Sequence, residues 1–387
     1  MRSCAAWASP ARLPRPLLSW PQIGLPLSPD NYSVWMAAQP FAPKPRRFTM
    51  MIATDAPSRC PLPMPWGWFQ VLYSSELAVG DAKPLHYFGK DLVIFRTESG
   101  AVKVLDAYCP HMGAHLGYGI RDQAGGGSRV VGESIECPFH GWRYDGEGKC
   151  THIPYAKNRP PKVARGEQVI ACWPVREVNQ TILVWYHPDK IEPLFEPDIL
   201  PEADPNNEDW SNDFVIHRWS INVHMQEMAE NAVDPAHFHY VHGTDDVPDA
   251  EVLEFDGYTR RGFLRTRNPT PKGIIEGSIE NRNFGPGLSV VRFSGIYDTV
   301  LMANVTPVAP EVTEAFYTFI QPKATMDTLG KTVGRAIIAN IAQQMEEDKI
   351  IWDRKMYFEK PLLCDGDGPF AKLRRWYGQF LTGSQSV

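Results

Sequence analysis

Two short stretches, Cys109-Pro-His111 and Cys137-Pro-Phe-His140, decide the fold of this 387-residue chain. Each stretch places one cysteine close to one histidine, and each is followed by a glycine, Gly113 or Gly141. Two thiolates and two neutral imidazoles can together hold a metal centre. Zinc accepts such a set, but its usual spacings are C-x2–4-C and H-x3–5-H, so the C-x-H order argues against zinc.

The orders C-x-H and C-x-x-H are those of a Rieske [2Fe-2S] cluster, in which two thiolates hold one iron and two imidazoles hold the other. We therefore predict such a cluster here, with four ligands: Cys109, His111, Cys137 and His140. The segment Asp122–Val131 reads as an insertion that lengthens the surface loop between the two halves and leaves the ligands unchanged.

A second cluster of histidines occurs in Asp234-Pro-Ala-His237-Phe-His-Tyr-Val-His242. Two imidazoles and a carboxylate form the facial triad of non-haem Fe(II) oxygenases, which leaves positions open for O2 and substrate. The pattern Asp-x2-His-x4-His resembles the mononuclear iron motif of these oxygenases, and this resemblance implies that His237 and His242 are the imidazole ligands. Residues five apart lie about 140° apart on a regular helix, so both rings can face one iron only if the helix is irregular. Pro235 favours such a break, with Asp234 as a new N-cap and Pro235 at the first helical position.

The carboxylate ligand is not decided by spacing. A late, helix-like segment and the residue after it offer four acidic candidates: Glu346, Glu347, Asp348 and Asp353. Each could reach the iron, and each could equally lie on a solvated helix face. All four remain open on the residues alone.

Composition excludes several other functions. The net charge of −6 gives no basic field for nucleic acid. Neither G-x-G-x-x-G after a strand nor G-x4-G-K-S/T occurs, so the electrons must come from a separate reductase. Seven cysteines, two of them assigned to the cluster, leave an odd, scattered set that predicts free thiols and a cytoplasmic location. No apolar run approaches the ~18 residues of a membrane span.

The hydrophobic pattern predicts an α+β fold in three parts. Residues 1–60 are rich in Pro and Arg and are predicted to be a disordered or spurious N-terminal extension. Residues 61–190 contain short β-type runs and predict an all-β domain that carries the cluster loops. Residues 191–387 alternate in β fashion and then show the longest helical pattern, Thr328–Tyr357. They predict a catalytic domain in which an antiparallel sheet grips a helix beside an apolar tunnel to the iron.

From about residue 66 to 380 the chain resembles the oxygenase (α) components of Rieske non-haem iron oxygenases. Within them it is most similar to the branch of 3-ketosteroid 9α-hydroxylases and cholesterol 7-desaturases. The stretches that carry the resemblance are Leu105–Gly113, Cys137–Tyr144, Gly148–Tyr155, Asn231–Asp234, Lys360–Pro369 and Leu373–Phe380.

For the site, the resemblance implies that Asp348 is the carboxylate ligand of the iron and that the catalytic domain has a helix-grip (START-like) fold. It also implies that Asp234, with Asn231 at the family spacing before it, bridges to a cluster histidine of a neighbouring subunit and conducts the electron. A neighbouring subunit that supplies the cluster requires a head-to-tail ring, which we expect to be a homotrimer.

For the activity, the resemblance implies a monooxygenase of steroid, cholesterol or other lipid metabolism. It would hydroxylate a steroid or sterol with O2 and with electrons from NADH through a separate ferredoxin reductase. Sterol desaturation of the cholesterol 7-desaturase type and an aromatic-ring-hydroxylating dioxygenase are the alternatives. A pure electron carrier would not need the second half of the chain, and a degenerate relative would lack one of His237, His242 or Asp348.

Overall fold

The structure is a computed structural model that describes residues 58–119, 129–243, 250–270, 273–295, 297–325 and 328–381. The N-terminal extension predicted for residues 1–60 lies almost entirely outside these residues, as does most of the insertion Asp122–Val131. None of the helices in the described ranges is long and apolar enough to cross a membrane.

The first part of the chain is built from short strands, as its β-type runs predict. These strands are β1 (Gly67–Tyr73), β2 (Ala82–Tyr87), β3 (Lys90–Arg96), β4 (Val102–Asp106), β5 (Val130–Val131), β6 (Ser134–Glu136), β7 (Arg143–Asp145), β8 (Cys150–His152), β9 (Cys172–Trp173), β10 (Val175–Val178) and β11 (Thr181–Tyr186). They pair antiparallel in three sheets, with the orders β1-β11-β10, β2-β3-β4-β9 and β5-β6-β7-β8. The two Cys/His loops follow β4 and β6.

The second part is dominated by one antiparallel sheet. Its strands are β12 (Val215–Ile221), β13 (Ala250–Asp256), β14 (Thr259–Thr270), β15 (Gly273–Phe284), β16 (Leu288–Ser294), β17 (Thr299–Ala309) and β18 (Val312–Ile320). Their order in the sheet is β12-β18-β17-β16-β15-β14-β13. The long strands are consecutive hairpins, which explains the β-type alternation of this region.

The helices are α1 (Pro161–Ala164), α2 (Met225–Glu230), α3 (Ala236–Tyr240), α4 (Thr328–Trp352) and α5 (Phe370–Gly378). Helix α4 packs on the large sheet: Ile338 packs with Leu301 and Phe319, and Met345 and Trp352 pack with Ile221 and Ala315. The predicted α+β architecture of a sheet that grips a helix is therefore confirmed.

Helix α4 is shorter than predicted, because it ends at Trp352 and not at Tyr357. Beyond Trp352 the backbone makes contacts outside the helix. The N–H of Tyr357 donates to the carbonyl of Arg59 at 2.9 Å, and the carboxylate of Asp353 accepts from the N–H of Asn222 at 2.8 Å. The N–H of Asp353 still donates to the carbonyl of Lys349 at 2.9 Å, and the N–H groups of Arg354 and Lys355 then donate only three residues back. The helical pattern thus ends within three residues of Trp352, before the long-range contacts of Tyr357.

Strand β1 connects the two parts of the structure. Its seven residues are all buried, and it makes hydrogen bonds to the large sheet. The side chain of Gln70 accepts a hydrogen bond from Asn304 of β17 at 2.9 Å. The hydroxyl of Thr306 donates to the backbone carbonyl of Gln70 at 2.6 Å. Just before β1, the N–H of Trp66 donates to the carbonyl of Phe380 at 2.9 Å. One continuous apolar core therefore connects the sheets β1-β11-β10 and β2-β3-β4-β9 with the large sheet and α5. The sheet β5-β6-β7-β8 contributes to a separate core that includes Cys109 and Cys137.

Candidate metal centres

The two Cys/His loops share one backbone geometry. The N–H of Gly113 donates to the carbonyl of Cys109 at 2.9 Å, and the N–H of Gly141 donates to the carbonyl of Cys137 at 3.0 Å. Both glycines have positive φ, +73° and +72°, a region that a side chain disfavours. Each loop is thus a tight turn with its cysteine at the start.

The four donor residues of these loops face one another. The rings of His111 and His140 lie 4.7 Å apart, and the Nδ1 atoms of both are buried without a hydrogen-bond partner among the described residues. A hydrogen bond between the two thiols lowers the pKa of Cys109 and raises the pKa of Cys137. Two adjacent thiols and two unsatisfied imidazole nitrogens are the donors that a Rieske cluster uses, so the residues present fit that group.

Two aromatic side chains support this donor set. The hydroxyl of Tyr144, a fully buried residue, lies 3.0 Å from Sγ of Cys109. Burial, followed by the neighbouring sulfur, raises the pKa of Tyr144, so the hydroxyl keeps its proton and donates. The ring of Trp142 stacks on His111 at 4.5 Å. The sequence motif includes Tyr144, but the contact with the sulfur depends on strand pairing and was not predicted.

The second centre brings together His237, His242 and Asp348, whose candidate ligand atoms all lie within 4.8 Å of one another. His237 lies in α3, and His242 follows the end of that helix. The two rings are 5.2 Å apart and nearly perpendicular, at 81°. Two residues that a regular helix would keep on different sides therefore meet because the helix ends between them.

The predicted break before α3 is present, with a small difference in register. A 3₁₀ turn, Asn231–Val233, is followed by Asp234 in extended conformation. The Oδ1 atom of Asp234 accepts from the N–H groups of Ala236 and His237, at 3.1 and 3.4 Å, as an N-cap does. Pro235 has helical angles, but the hydrogen-bonded helix starts one residue later, at Ala236.

Two of the four acidic candidates are held away from the convergent group. An oxygen of Glu346 accepts a hydrogen bond from Nε1 of Trp219 at 2.6 Å. Asp353 lies beyond α4 and accepts from the backbone N–H of Asn222. The sequence could not separate these acids, because their partners come from β12 and the residue after it.

The other two candidates both contact His242, in different ways. Glu347 lies 2.9 Å from Nδ1 of His242, and this contact lowers the pKa of Glu347. Asp348 lies 3.4 Å from Nε2 of the same ring and accepts from Nδ2 of Asn231 at 2.9 Å. Burial raises the pKa of Asp348, against the opposing effect of the two histidines. A cation between these groups would compensate the buried carboxylate, so this donor set fits a metal ion.

A cavity of about 260 Å³ borders the three convergent residues. Most of its wall is apolar and includes Met228, Ile279, Val291, Phe293, Leu301 and Met345. The sequence predicts an apolar tunnel to the iron, and a mostly apolar cavity lies at this position. The cavity also has polar wall residues that the sequence analysis did not identify: Arg260, Asn281, Asn283 and Ser289. A mostly apolar cavity with a few polar groups is typical of a small-molecule site.

Comparisons with known proteins agree with both halves of the structure. A Rieske [2Fe-2S] domain family model matches residues 67–174, and the model of the 3-ketosteroid 9α-hydroxylase C-terminal domain matches residues 184–381.

Two relatives are similar over most of the chain. The probable 3-ketosteroid-9-alpha-monooxygenase, oxygenase component, of Rhodococcus rhodochrous is 32% identical over 341 residues, 83% of this chain and 81% of that protein. The cholesterol 7-desaturase nvd of Xenopus laevis is 31% identical over 352 residues, 83% of this chain and 72% of that protein.

A solved structure shares the fold. Dicamba monooxygenase bound to 3,6-dichlorosalicylic acid aligns with a TM-score of 0.63 and 19% identity, over 81% of this chain and 96% of that one. At this level of identity the likeness concerns the fold alone.

Proposed function

Because the chain belongs to the Rieske oxygenase family of the 3-ketosteroid 9α-hydroxylase oxygenase components, we propose that it hydroxylates a steroid-like substrate with O2. As a member of this family it is an oxidoreductase with a [2Fe-2S] cluster and a non-haem iron. The observation that carries the proposal is the convergence of His237, His242 and Asp348 on the wall of an apolar cavity. Iron bound there supplies O2 activation next to the substrate.

We assign the iron to these three residues because their contacts with other protein groups leave one ring nitrogen of each histidine and one oxygen of Asp348 available to a metal. Nδ1 of His237 contacts the backbone carbonyl of Asp234, and Nδ1 of His242 contacts Glu347. In both rings Nε2 is therefore the nitrogen available to a metal. Asn231 holds Asp348 through one carboxylate oxygen, which fixes the orientation of the carboxylate.

The cluster is assigned to Cys109, His111, Cys137 and His140, whose donor atoms fit it. For Asp234 we propose the bridging role between a cluster histidine of a neighbouring subunit and the iron. The support is local: Asp234 lies two residues before α3. Its carboxylate accepts from the backbone N–H of His237, and its backbone carbonyl contacts Nδ1 of the same residue, so Asp234 is in direct contact with a proposed iron ligand.

A head-to-tail homotrimer is part of the proposal, because the bridge needs the cluster of another subunit. Exposed apolar side chains lie beside both centres. A head-to-tail ring joins two different surfaces of neighbouring subunits, so each of these surfaces needs such side chains. Met112 and Phe139 on the cluster loops are 66% and 61% exposed, and Tyr240 at the end of α3 is 81% exposed.

The electron source in this proposal is NADH, through a separate ferredoxin reductase, since the sequence carries no nucleotide-binding motif. We also propose a cytoplasmic location and a role in steroid or sterol metabolism. The six cysteines among the described residues are free thiols, which suits a reducing compartment.

Desaturation of a sterol is the second candidate reaction, and the similarity to a cholesterol 7-desaturase favours it. The same residues would serve both reactions. The difference lies in how the substrate is placed against the iron, where shifts below 1 Å can change the outcome.

The test is product analysis by mass spectrometry after aerobic turnover. The purified protein with cluster and iron is incubated with a surrogate NADH-driven reductase and a panel of 3-ketosteroids, sterols and simple aromatics. A steroid that gains one oxygen supports hydroxylation, and a sterol that loses two hydrogens supports desaturation. If only the aromatics react, the steroid proposal is wrong.

A variant pair tests the iron site itself. His237→Ala should abolish product formation and leave the visible spectrum of the cluster intact. His86→Ala is the matched control, because His86 is exposed and its Nδ1 contacts Asp91 and no residue of the iron site. Product formation at the wild-type rate in His237→Ala would contradict the ligand assignment.

A further inference from the structure

A polar pair in the cavity wall takes no part in holding the proposed metal. Arg260 of β14 is 3% exposed and lies directly opposite Asn283 of β15. Its Nε and Nη2 donate to Oδ1 of Asn283, at 3.1 and 2.6 Å. Its Nη1 donates to the backbone carbonyl of Ala232 at 3.4 Å, next to Asn231 of the iron site. The arginine is thus fixed in the wall beside the proposed metal centre.

The charge of Arg260 has no carboxylate partner among the described residues. Burial lowers its pKa to about 10, which still leaves the guanidinium charged at neutral pH. Proteins normally pair a buried charge, because its removal from water costs several kcal/mol. A guanidinium has five N–H donors, and the contacts with Asn283 and Ala232 use three of them. One N–H on each terminal nitrogen is left for another group.

Two further polar groups of the same wall are unsatisfied. Oδ1 of Asn281 and the hydroxyl of Tyr377 are buried without a hydrogen-bond partner among the described residues, and both residues line the cavity. Asn281 lies opposite Gly262, where a Cβ would come within 2.5 Å of its Oδ1. The missing side chain of Gly262 thus makes room for the amide beside Arg260.

Beyond Asn281, the residues of this sheet that line the cavity are apolar. On the same face, two residues beyond Asn281, Ile279 of β15 lies opposite Leu264 of β14 and Phe293 of β16. On strands β14 to β16, the polar groups of the cavity wall therefore lie at the Arg260 end. A ligand that matches this wall has a large apolar body and one charged end.

We propose that Arg260 is the anion-binding residue of the substrate site and that the substrate is an apolar, steroid-like molecule that carries a carboxylate. This inference rests on the proposed function and narrows its substrate class. A carboxylate accepts two parallel N–H groups of one guanidinium, and the hydroxyl of Tyr377 is a further donor in the same wall. A neutral ketone would accept one hydrogen bond and leave the buried charge unpaired.

Binding is measured by anaerobic titration calorimetry on the protein with cluster and iron in place. The probes are a 3-ketosteroid whose side chain ends in a carboxylate, and the methyl ester of the same compound. The wild type should prefer the acid. Arg260→Met should reduce the ratio of acid affinity to ester affinity by roughly 10- to 100-fold, as expected for lost hydrogen bonds to a charged group.

Two more variants make the result specific. Arg260→Lys keeps the charge but not the paired donors, so the ratio should fall to an intermediate value. Arg261→Met is the matched control. Arg261 is the next residue along β14 and lies on its other face, where its side chain is 51% exposed and pairs with Glu280. Its ratio should equal that of the wild type.

Equal affinities for acid and ester in the wild type overturn the anion site, and so does an unchanged ratio in Arg260→Met. If Arg260→Met does not fold, the wild-type ratio and Arg260→Lys decide the question. Failure of the proposed function looks different: the acid binds through Arg260, but no steroid is oxygenated in turnover. Conversely, oxygenation of neutral ketosteroids without any preference for the acid keeps the function and removes the anion site.

Discussion

The hydroxyl of Tyr144 should raise the reduction potential of the Rieske cluster. It lies 3.0 Å from Sγ of Cys109 on a fully buried ring, and hydrogen bonds to cluster sulfurs are one determinant of the potential. Reduction adds negative charge to the cluster, so the hydrogen bond is stronger in the reduced state. Tyr144→Phe removes the donor and keeps the ring, and it should therefore lower the potential.

The size of the effect follows from the energy of such a bond. A hydrogen bond to a charged group is worth about 1.5–3 kcal/mol, and we take about 1 kcal/mol as the part that depends on the redox state. For one electron, 59 mV corresponds to a tenfold change in the equilibrium, or about 1.4 kcal/mol. The potential of Tyr144→Phe should thus be roughly 40 mV below that of the wild type.

The assay is a redox titration followed by the visible or EPR spectrum of the cluster. Tyr108→Phe is the matched control, because this residue precedes Cys109 but is 52% exposed and donates to Asp91 at 2.6 Å. Its potential should change by less than about 10 mV, since no bond to sulfur is lost. A Tyr144→Phe potential equal to or above the wild-type value would refute the reasoning.

Three further predictions concern metal affinity and stability. Glu347→Gln replaces the charged partner of His242 and should weaken iron binding about 10-fold in a metal titration; unchanged affinity would remove Glu347 from the site. Gly148→Ala should lower the free energy of unfolding, measured by denaturant titration, by roughly 3 kcal/mol, because Gly148 has positive φ and the new Cβ would collide with a backbone carbonyl. Gly166 also has positive φ, but the space around it is open. Gly166→Ala should therefore lower the free energy of unfolding by only about 1 kcal/mol. Burial raises the pKa of Glu227 above 4.5, so the folded state binds the proton of this carboxyl more tightly than the unfolded state does. The stability of the wild type relative to Glu227→Gln should therefore decline as the pH rises above 4.5. If thermal unfolding shows that the wild type gains stability relative to the variant as the pH rises, the prediction is wrong.

Much of the fold could be predicted because its signals are local. The short β-type runs, the hairpins of the large sheet and the long helix each appear as a period in consecutive residues. The end of α4 at Trp352 could not be predicted, since the N–H of Tyr357 donates to the carbonyl of Arg59, a residue far away in the sequence.

The sequence by itself determined which side chains could form the two centres. Cys109 with His111, and Cys137 with His140, lie close enough in the chain for one tight turn to present each pair. His237 and His242 lie five residues apart, so both can face one iron only where the helix is irregular, and Pro235 indicates that a new, short helix starts just before them.

Only the tertiary structure decided which of the neighbouring acids meets the histidines. Glu347 and Asp348 are consecutive on α4, yet Asp348 joins the ligand group and Glu347 contacts the far side of a ring. The rotation of α4 against the sheet sets this difference, and packing between distant residues fixes that rotation. For the same reason the sequence could not reveal Arg260, because its neighbours in the cavity belong to other strands and to the turn before α3.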